Sequence, residues 1–324
     1  MSKSGEEAEE SPSGIGESEI FAPGLLRGRV ALVTGGGTGL GRASAIELAR
    51  CGAAVAVVGR REEPLRETVA EIERVRATQP GGGLGGAGEQ LGEQAGNGAH
   101  WAVGDVRERE QAHALVAGVL ERWGRLDVLV NNAGGQYFTP AEGIVAKGWG
   151  AVWRLNVDGM LNMAEEAFAQ AGSAEAGKGP GIRVINVTLS PHHGMPGMAH
   201  SGAARAAVEA LTRELARRWG QAGATVCAVA AGHFDTEAMA KYPDVVRAGM
   251  ARSVPMQRLG TAREHAWLVS LLASPLGAAL NGSTVTLDGA RDNWFGPWPP
   301  PGLTDAGGEV PTEERRGPGS AAAG

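Results

Sequence analysis

The chain has 324 residues, of which 43% are hydrophobic and 20% charged, with 52 glycines and a formal net charge of −6. That hydrophobic fraction supplies a sizeable core and excludes a wholly disordered chain, and no run of about 20 apolar residues is long enough to span a bilayer. A basic stripe and an arginine-rich helix are both absent from the sequence, so neither nucleic acid nor a membrane surface is expected as a partner.

Short apolar runs alternate with segments of helical periodicity from Arg29 onward. Strands are predicted at 29–34, 53–59, 100–105, 127–132, 183–188, 224–230 and 283–288. Helices are predicted up to Leu48 and at 64–78, 108–123, 149–168, 201–219, 236–250 and 262–272. This alternation predicts an α/β fold, a doubly wound parallel sheet of seven strands in a single Rossmann-type domain. Such a sheet binds its ligand at the carboxyl ends of its strands.

Both ends and one internal segment have the composition of solvated chain. Residues 1–20 hold six glutamates against one lysine and carry −5 of the net charge. Residues 302–324 are similarly poor in apolar side chains, and residues 80–98 are rich in glycine. Because such segments bury too little apolar surface to offset the entropy lost on ordering, we predict disordered tails at 1–20 and 302–324. One folded domain is predicted at 21–301, with a glycine-rich loop insert at 80–98.

The two cysteines and the two ends of the chain indicate the cellular compartment. Cys51 and Cys227 both lie in apolar surroundings, so we expect core thiols rather than a disulfide framework. The acidic start does not resemble a secretory signal, and the last three residues are not the peroxisomal Ser-Lys-Leu address. A cytoplasmic location is the resulting expectation.

A glycine-rich turn follows the first predicted strand directly. It reads Thr34-Gly35-Gly36-Gly37-Thr38-Gly39-Leu40-Gly41 and leads into a helix. Glycines there permit positive φ angles and let a phosphate approach the backbone N–H groups at the helix N-terminus. Because the spacing is G-x-x-x-G-x-G and not G-x-G-x-x-G, the turn alone leaves two interpretations open, a nucleotide site or a turn without ligand.

The end of the second predicted strand indicates which dinucleotide is bound. An NAD site places Asp or Glu there to bind the ribose 2′-hydroxyl, whereas this chain has Gly59 followed by Arg60 and Arg61. A guanidinium binds a 2′-phosphate through two hydrogen bonds, so NADP(H) is favoured. Solvated arginines paired with Glu62 and Glu63 are the alternative.

The motifs between Leu26 and Trp298, taken together, resemble the short-chain dehydrogenase/reductase family. They are the turn Thr34–Gly41, Gly104-Asp105-Val106, Asn131-Asn132-Ala133-Gly134, Asn156 in RLNVDG, Gly232 and Thr236 in AAGHFDTEA, and Leu287-Asp288-Gly289. The resemblance implies that Asp105 and Val106 flank the adenine and that Thr236 contacts the nicotinamide carboxamide. With the arginines above, the implied cofactor-binding residues are Thr34, Gly35, Gly37, Thr38, Gly39, Leu40, Gly41, Arg60, Arg61, Asp105, Val106, Asn132, Ala133, Gly134, Arg205, Gly232 and Thr236.

The catalytic pattern differs from that of family members that reduce ketones. Those carry a tyrosine, which protonates the alkoxide, and a lysine four residues later, which lowers the pKa of the phenol. The two tyrosines here, Tyr137 and Tyr242, lack that lysine, and the register of HSGAARAAVEA places Ser201 and Arg205 at the two positions. An arginine stays charged and can bind the hydroxyls of the nicotinamide ribose, so cofactor placement is expected to persist.

Within the family, segments such as LVNNAGGQYFTPAE and HSGAARAAV are most similar to the peroxisomal trans-2-enoyl-CoA reductases and their bacterial relatives. Hydride addition to an α,β-unsaturated thioester leaves an enolate that can be protonated at carbon, so the reaction needs oxyanion donors more than a strong acid. The candidate catalytic residues are Asn156, Thr188, Ser190, Ser201 and Arg205, and the sequence leaves open which hydroxyl acts. Two roles stay open for Asn156: the resemblance implies support of a water chain beside the lysine position, which Arg205 takes here, and the alternative is a purely structural role.

The sequence is compatible with three functions. The favoured one is NADPH-dependent reduction of a trans-2-enoyl-CoA, a fatty acyl thioester. The alternatives are a carbonyl reductase or alcohol dehydrogenase with an atypical proton donor, and a non-catalytic NADP(H)-binding protein. A homo-oligomer, dimer or tetramer, is a family expectation.

Several side chains near the expected site have two interpretations each. His192, His193 and His200 are either proton sources or ordinary loop histidines, and Tyr137 either enters the substrate pocket or packs. The aromatic end at Trp294, Phe295 and Trp298 is expected to cover a neighbouring subunit or the substrate mouth. No spacing in the sequence suggests a metal site.

Overall fold

The computed structural model describes residues 17–22, 24–78, 98–172, 181–190, 197–237, 239 and 249–293. The strands within these residues are β1 (Val30–Thr34), β2 (Ala54–Gly59), β3 (Ala99–Val103), β4 (Val128–Asn131), β5 (Arg183–Leu189), β6 (Thr225–Ala231), β7 (Phe234–Asp235), β8 (Gly260–Thr261) and β9 (Thr284–Leu287). The helices are α1 (Gly39–Arg50), α2 (Glu62–Ala77), α3 (Arg109–Trp123), α4 (Ala146–Trp153), α5 (Gly159–Ala167), α6 (Ala199–Trp219) and α7 (Ala262–Ala273).

Several predictions fall outside the described residues. These are the C-terminal tail, the tail at 1–20 apart from residues 17–20, the insert apart from Gly98, the histidines His192 and His193, and the aromatic end at 294–298. Of the helix predicted at 236–250, residues 249 and 250 are described as helical, in a segment that continues to residue 252.

Seven strands form one parallel sheet in the order β3-β2-β1-β4-β5-β6-β9, which confirms the predicted fold class. Val33 of β1 pairs with Val57 of β2 on one side and with Val130 of β4 on the other. The direction of winding reverses between β1 and β4, so a crevice for a ligand opens at the carboxyl ends of these strands. A second ladder, β7 with β8, was not predicted, because strands of two residues show no periodicity.

The sheet has an apolar layer on each face because helices cover both. Along β1, Val30 and Leu32 belong to one layer, whereas Ala31 and Val33 belong to the other. This two-sided burial explains why the strands read as continuous apolar runs in the sequence. Within the described residues no helix is long and apolar enough to cross a membrane.

Both cysteines are buried and free, as predicted. Burial raises the pKa of Cys51 to about 12 and that of Cys227 to about 11. The thiols therefore stay protonated at neutral pH and serve as small core side chains.

A buried histidine between α1 and α7 makes the stability of the fold depend on pH. His265 is fully buried, its Nδ1 lies 3.2 Å from the Ser44 hydroxyl, and its Nε2 has no hydrogen-bond partner among the described residues. Burial lowers the pKa of His265 from 6.5 to about 4. The unfolded chain thus binds this proton more readily, so stability is full above about pH 6.5 and falls by about 3 kcal/mol as the pH drops to about 4.

Replacing His265 with glutamine is expected to remove this part of the pH dependence. The measurement is the free energy of unfolding in urea at about pH 7 and about pH 4.5 for both proteins. An equal loss on acidification in wild type and His265→Gln would contradict the assignment.

Candidate active site

A cleft of about 860 Å³ runs along the carboxyl ends of the sheet strands. It brings together almost all of the predicted cofactor-binding residues. Those on its wall are Gly35, Gly37, Thr38, Gly39, Leu40, Arg60, Arg61, Asp105, Val106, Asn132, Ala133, Gly134, Arg205, Gly232 and Thr236. Segments that are distant in sequence therefore converge on one concave surface, because every parallel strand ends at the same edge of the sheet.

Two predicted cofactor residues, Thr34 and Gly41, lie outside the cleft wall and join the loops that form it. The Thr34 hydroxyl oxygen accepts hydrogen bonds from the N–H groups of Asn132 and Ala133 at 3.0 and 2.9 Å. The Asn132 side-chain amide donates in return to the carbonyl oxygens of Thr34 and Gly35 at 3.0 and 3.2 Å. A Cβ at Gly41 would overlap the Gly35 carbonyl, so glycine lets α1 pack closely against this turn. Both residues act on the cleft by fixing its loops.

The turn after β1 presents the N-terminus of α1 to the cleft. Gly35 and Gly39 have φ angles of +64° and +55°, which glycine adopts without strain. Thr38 is the N-cap residue, yet its side chain makes no capping hydrogen bond. The first N–H groups of α1 therefore keep donor capacity and partial positive charge that suit a phosphate.

Arg60 and Arg61 line the cleft where β2 ends, and both side chains are exposed. Neither forms an ion pair or a hydrogen bond with another residue in the described part of the chain. Glu62 pairs with Arg66 instead, at 3.5 Å. The interpretation in which Glu62 and Glu63 neutralise the two arginines is thus not supported, and both guanidinium groups are available to an anion.

Asp105 and Val106 form the wall next to these arginines. The Arg107 Nε donates to Asp105 Oδ1 at 2.9 Å, and this hydrogen bond holds the pKa of Asp105 below its ordinary value. The Val106 carbonyl accepts a hydrogen bond from the Asn162 side chain at 3.1 Å. Hydrogen bonds from Asn162 of α5 and from Arg107 within the loop therefore fix the loop after β3.

Arg205 extends from α6 to the cleft between the ends of β4 and β5. Its Nη1 donates to the Val187 carbonyl at 2.9 Å, and its Nη2 lies 3.5 Å from Gln136 Oε1. Its Nε is buried without a partner among the described residues. Burial lowers the pKa of Arg205 to about 10, so the group stays charged at neutral pH. A Cβ at Gly134 would lie 2.8 Å from Nη2, so glycine at this position leaves space for the guanidinium.

Asn156 fixes the loop after β4 and does not line the cleft. It lies in a π-helical segment, Arg154–Asp158, which joins α4 to α5 and replaces part of the helix predicted at 149–168. Its side-chain amide donates to the Gly135 and Val152 carbonyls at 2.8 and 2.7 Å, and its Oδ1 accepts from the Gly135 N–H at 3.2 Å. These contacts are those of a positioning residue.

Of the three hydroxyls predicted as catalytic, only Thr188 lies on the cleft wall. Its hydroxyl donates to the Glu209 carboxylate at 3.1 Å. Ser190 is buried and donates to the Asp288 carboxylate. Ser201 is fully buried, and its hydroxyl has no partner among the described residues. Ser190 and Ser201 are therefore not part of the cleft wall.

The comparisons with known proteins agree with this geometry. Residues 35–290 match the family model described as "Enoyl-(Acyl carrier protein) reductase". The chain belongs to the short-chain dehydrogenase/reductase family of oxidoreductases. A relative from Bacillus subtilis (strain 168), named probable 2,4-dienoyl-CoA reductase, (2E)-enoyl-CoA-producing, is 32% identical over 276 residues, which is 84% of this chain and 98% of the relative.

Two solved structures of short-chain dehydrogenases/reductases share the fold along most of this chain. A citronellol catabolism dehydrogenase from Pseudomonas aeruginosa PAO1 has a TM-score of 0.69 and 37% identity, covering 84% of this chain and 98% of the other. A short chain dehydrogenase from Burkholderia cenocepacia J2315, in complex with NADP, has a TM-score of 0.68 and 29% identity, covering 82% and 98%.

In this short-chain dehydrogenase/reductase, two aromatic side chains pack against each other beside the cleft. Tyr137 lines the cleft from the loop after β4, and its ring centroid lies 4.4 Å from that of His200. His200 is itself buried, and neither of its ring nitrogens has a partner in the described structure. His200 is not part of the cleft wall, and it contacts the wall only through the ring of Tyr137 among the contacts described.

His233 lines the cleft directly after β6 and was not among the site residues predicted from the sequence of this short-chain dehydrogenase/reductase. Burial is the main cause that lowers the pKa of His233, and the Arg291 charge lowers it further. Its place at a strand carboxyl end was the signal that could have found it. No group of three His, Cys, Asp or Glu side chains in the described residues is arranged to hold a metal ion.

Proposed function

We propose that this protein uses NADPH to reduce a carbon–carbon double bond conjugated to an acyl-CoA thioester, with a trans-2-enoyl-CoA as the substrate. The observation that carries the proposal is the composition of the cleft wall. Arg60 and Arg61, at the end of β2, have no ion-pair partner among the described residues. Arg205 reaches the cleft near β5 from α6, a helix without a tyrosine. The names of the B. subtilis relative and of the NADP complex support the substrate class and the cofactor.

The cleft fits NADP(H) at three points. The turn Gly37–Leu40 and the N-terminus of α1 suit the pyrophosphate, and Arg60 with Arg61 suits the 2′-phosphate. The Arg205 Nε has no partner among the described residues, and the guanidinium suits the hydroxyls of the second ribose. When bound, NADPH supplies hydride from nicotinamide C4 to the β-carbon of the substrate.

The residues of the chain then have to stabilise the negative charge that develops on the substrate, and the reaction does not need a strong acid from the protein. Hydride addition at the β-carbon shifts the double-bond electrons toward the thioester, so negative charge develops on the carbonyl oxygen. Hydrogen-bond donors aimed at that oxygen lower the barrier. The cleft is open to solvent, so water can deliver the proton to the α-carbon, and the absent tyrosine and lysine are not required.

A second candidate is a carbonyl reductase or alcohol dehydrogenase. The fold match to the citronellol catabolism dehydrogenase, at 37% identity, favours it. The serine at position 201, where ketone-reducing members of the family carry a tyrosine, disfavours it, because reduction of a ketone produces an alkoxide that must be protonated at oxygen. Membership of an oxidoreductase family argues against the third alternative, a non-catalytic binding protein. The cytoplasmic location and the homo-oligomer stay predictions from the sequence.

The test offers the purified protein NADPH with matched substrates of one chain length. These are a trans-2-enoyl-CoA, a 2,4-dienoyl-CoA, the corresponding unsaturated aldehyde and a saturated ketone, with loss of NADPH absorbance as the readout and mass spectrometry of the products. Turnover confined to the thioesters, with two hydrogens added at carbon, is expected. Turnover of the aldehyde or ketone to an alcohol, without thioester turnover, would establish the second candidate instead.

A further inference from the structure

The order of the strands determines which end of the cleft holds the reacting carbon. Arg60 and Arg61 follow β2, the glycine turn follows β1, and the next strands across the sheet are β4, β5 and β6. A dinucleotide with its 2′-phosphate at the arginines and its pyrophosphate at the turn therefore extends its nicotinamide half toward β5 and β6. This step, and the inference built on it, rests on the proposed function.

The polar wall residues at the end of the cleft near β5 and β6 are Thr188, Arg205, His233 and Thr236, whereas Tyr137 of the wall follows β4. The Thr188 hydroxyl already donates to Glu209, and Arg205 is tied to the Val187 carbonyl. Thr236 lies opposite the glycine turn, 3.8 Å from the position of a Cβ on Gly39, and thus closer to the pyrophosphate position.

His233 is the remaining donor near β6, and its backbone is fixed on both sides. Its carbonyl accepts from the Gly260 N–H at 2.8 Å, and the preceding Gly232 N–H donates to the Leu287 carbonyl at 3.0 Å. The imidazole itself forms no hydrogen bond with any residue that the structure describes. Because the backbone on both sides is fixed, the ring starts from a fixed point on the cleft wall, and its nitrogens have no partner among the described residues, so it is placed to bind a ligand.

The charge state of His233 is set by its surroundings. Burial and the Arg291 charge lower its pKa, while Asp288 acts in the opposite direction. At neutral pH the ring is therefore mostly uncharged. A neutral imidazole carries one N–H donor and one acceptor nitrogen.

We propose that the neutral imidazole of His233 donates a hydrogen bond to the thioester carbonyl oxygen and stabilises the enolate. As hydride bonds to the β-carbon, the electron pair of the double bond moves to the enolate, whose oxygen carries the charge against the His233 N–H. The α-carbon then takes a proton from water, and the saturated thioester and NADP⁺ are released. His233 keeps its own proton throughout.

The test compares two substitutions of nearly the same size. His233→Leu removes the donor and is expected to lower kcat by about 100- to 1000-fold, with little change in the KM for the thioester or the Kd for NADPH. His233→Gln keeps a side-chain N–H and is expected to recover most of that loss. A 2,4-dienoyl-CoA bound with NADP⁺ reports carbonyl polarisation directly, because its absorbance moves to longer wavelength; the shift is expected in wild type and His233→Gln and not in His233→Leu.

The outcomes separate this inference from the proposed function. Wild-type kcat in His233→Leu, or an unchanged absorbance shift in that variant, would overturn the role of His233 alone. Loss of activity in both variants, with circular dichroism showing that both are folded, would also overturn it, because the donor would then not be the property that matters. Failure of the wild type to reduce any thioester would overturn the proposed function and this inference with it.

Discussion

Replacing Arg205 with alanine is expected to weaken NADPH binding and to slow turnover together. The side chain is half-buried, charged and anchored to the Val187 carbonyl, and its buried Nε has no partner among the described residues. In the proposed complex its remaining donors bind the ribose next to the reacting ring, and a hydrogen bond to a charged group contributes about 1.5–3 kcal/mol. Loss of that contact, together with misplacement of the ring, is expected to lower kcat/KM by at least about a hundredfold.

The measurements are the Kd for NADPH, from fluorescence titration, and kcat, from NADPH absorbance. Arg205→Lys keeps the charge without the planar fork and is expected to fall between wild type and alanine. Arg213→Ala is the matched control, because Arg213 is exposed on the same helix, and it is expected to resemble wild type. Wild-type values of both Kd and kcat in Arg205→Ala would remove Arg205 from the site.

The sheet could be predicted from the sequence because its strands are buried on both faces. β1, β2 and β4 read as unbroken apolar runs, and each run ends within one or two residues of its predicted boundary. The π-helical segment Arg154–Asp158 could not be predicted in this way, since its apolar residues continue the period of the flanking helices. Its hydrogen bonds join Asn156 to Gly135, 21 residues earlier, and such a tertiary contact leaves no local pattern in the sequence.

The cleft wall was also predictable, whereas the direction of individual side chains was not. The backbone alone brings the residues directly after the strands to one edge of the sheet. The glycine turn and the arginines could therefore be placed at the cleft from the sequence. Ser201 and Arg205 are four residues apart on one face of α6, yet the short serine hydroxyl is buried and the long arginine side chain reaches the cleft. His233 was missed because it lies between two residues of a known motif, in a loop without periodicity.

Replacing both Arg60 and Arg61 with alanine is expected to abolish the preference for NADPH over NADH. The two side chains line the cleft after β2, where an acidic residue would bind an NAD ribose, and neither has an ion-pair partner in the described part of the chain. Only NADPH carries the 2′-phosphate, so its KM is expected to rise by about a hundredfold while the KM for NADH changes little. Steady-state kinetics with each cofactor and one thioester substrate provide the measurement.

Two further observations distinguish a specific phosphate contact from general attraction. Arg66→Ala is the control, because Arg66 is exposed on α2 and pairs with Glu62 outside the cleft wall, and it is expected to keep the wild-type preference. Rising salt is expected to raise the KM for NADPH in wild type and much less in the double variant, since screening weakens exposed charge pairs. Equal losses with NADPH and NADH in the double variant would show that the arginines do not read the 2′-phosphate, and the assignment of NADP(H) would then be wrong.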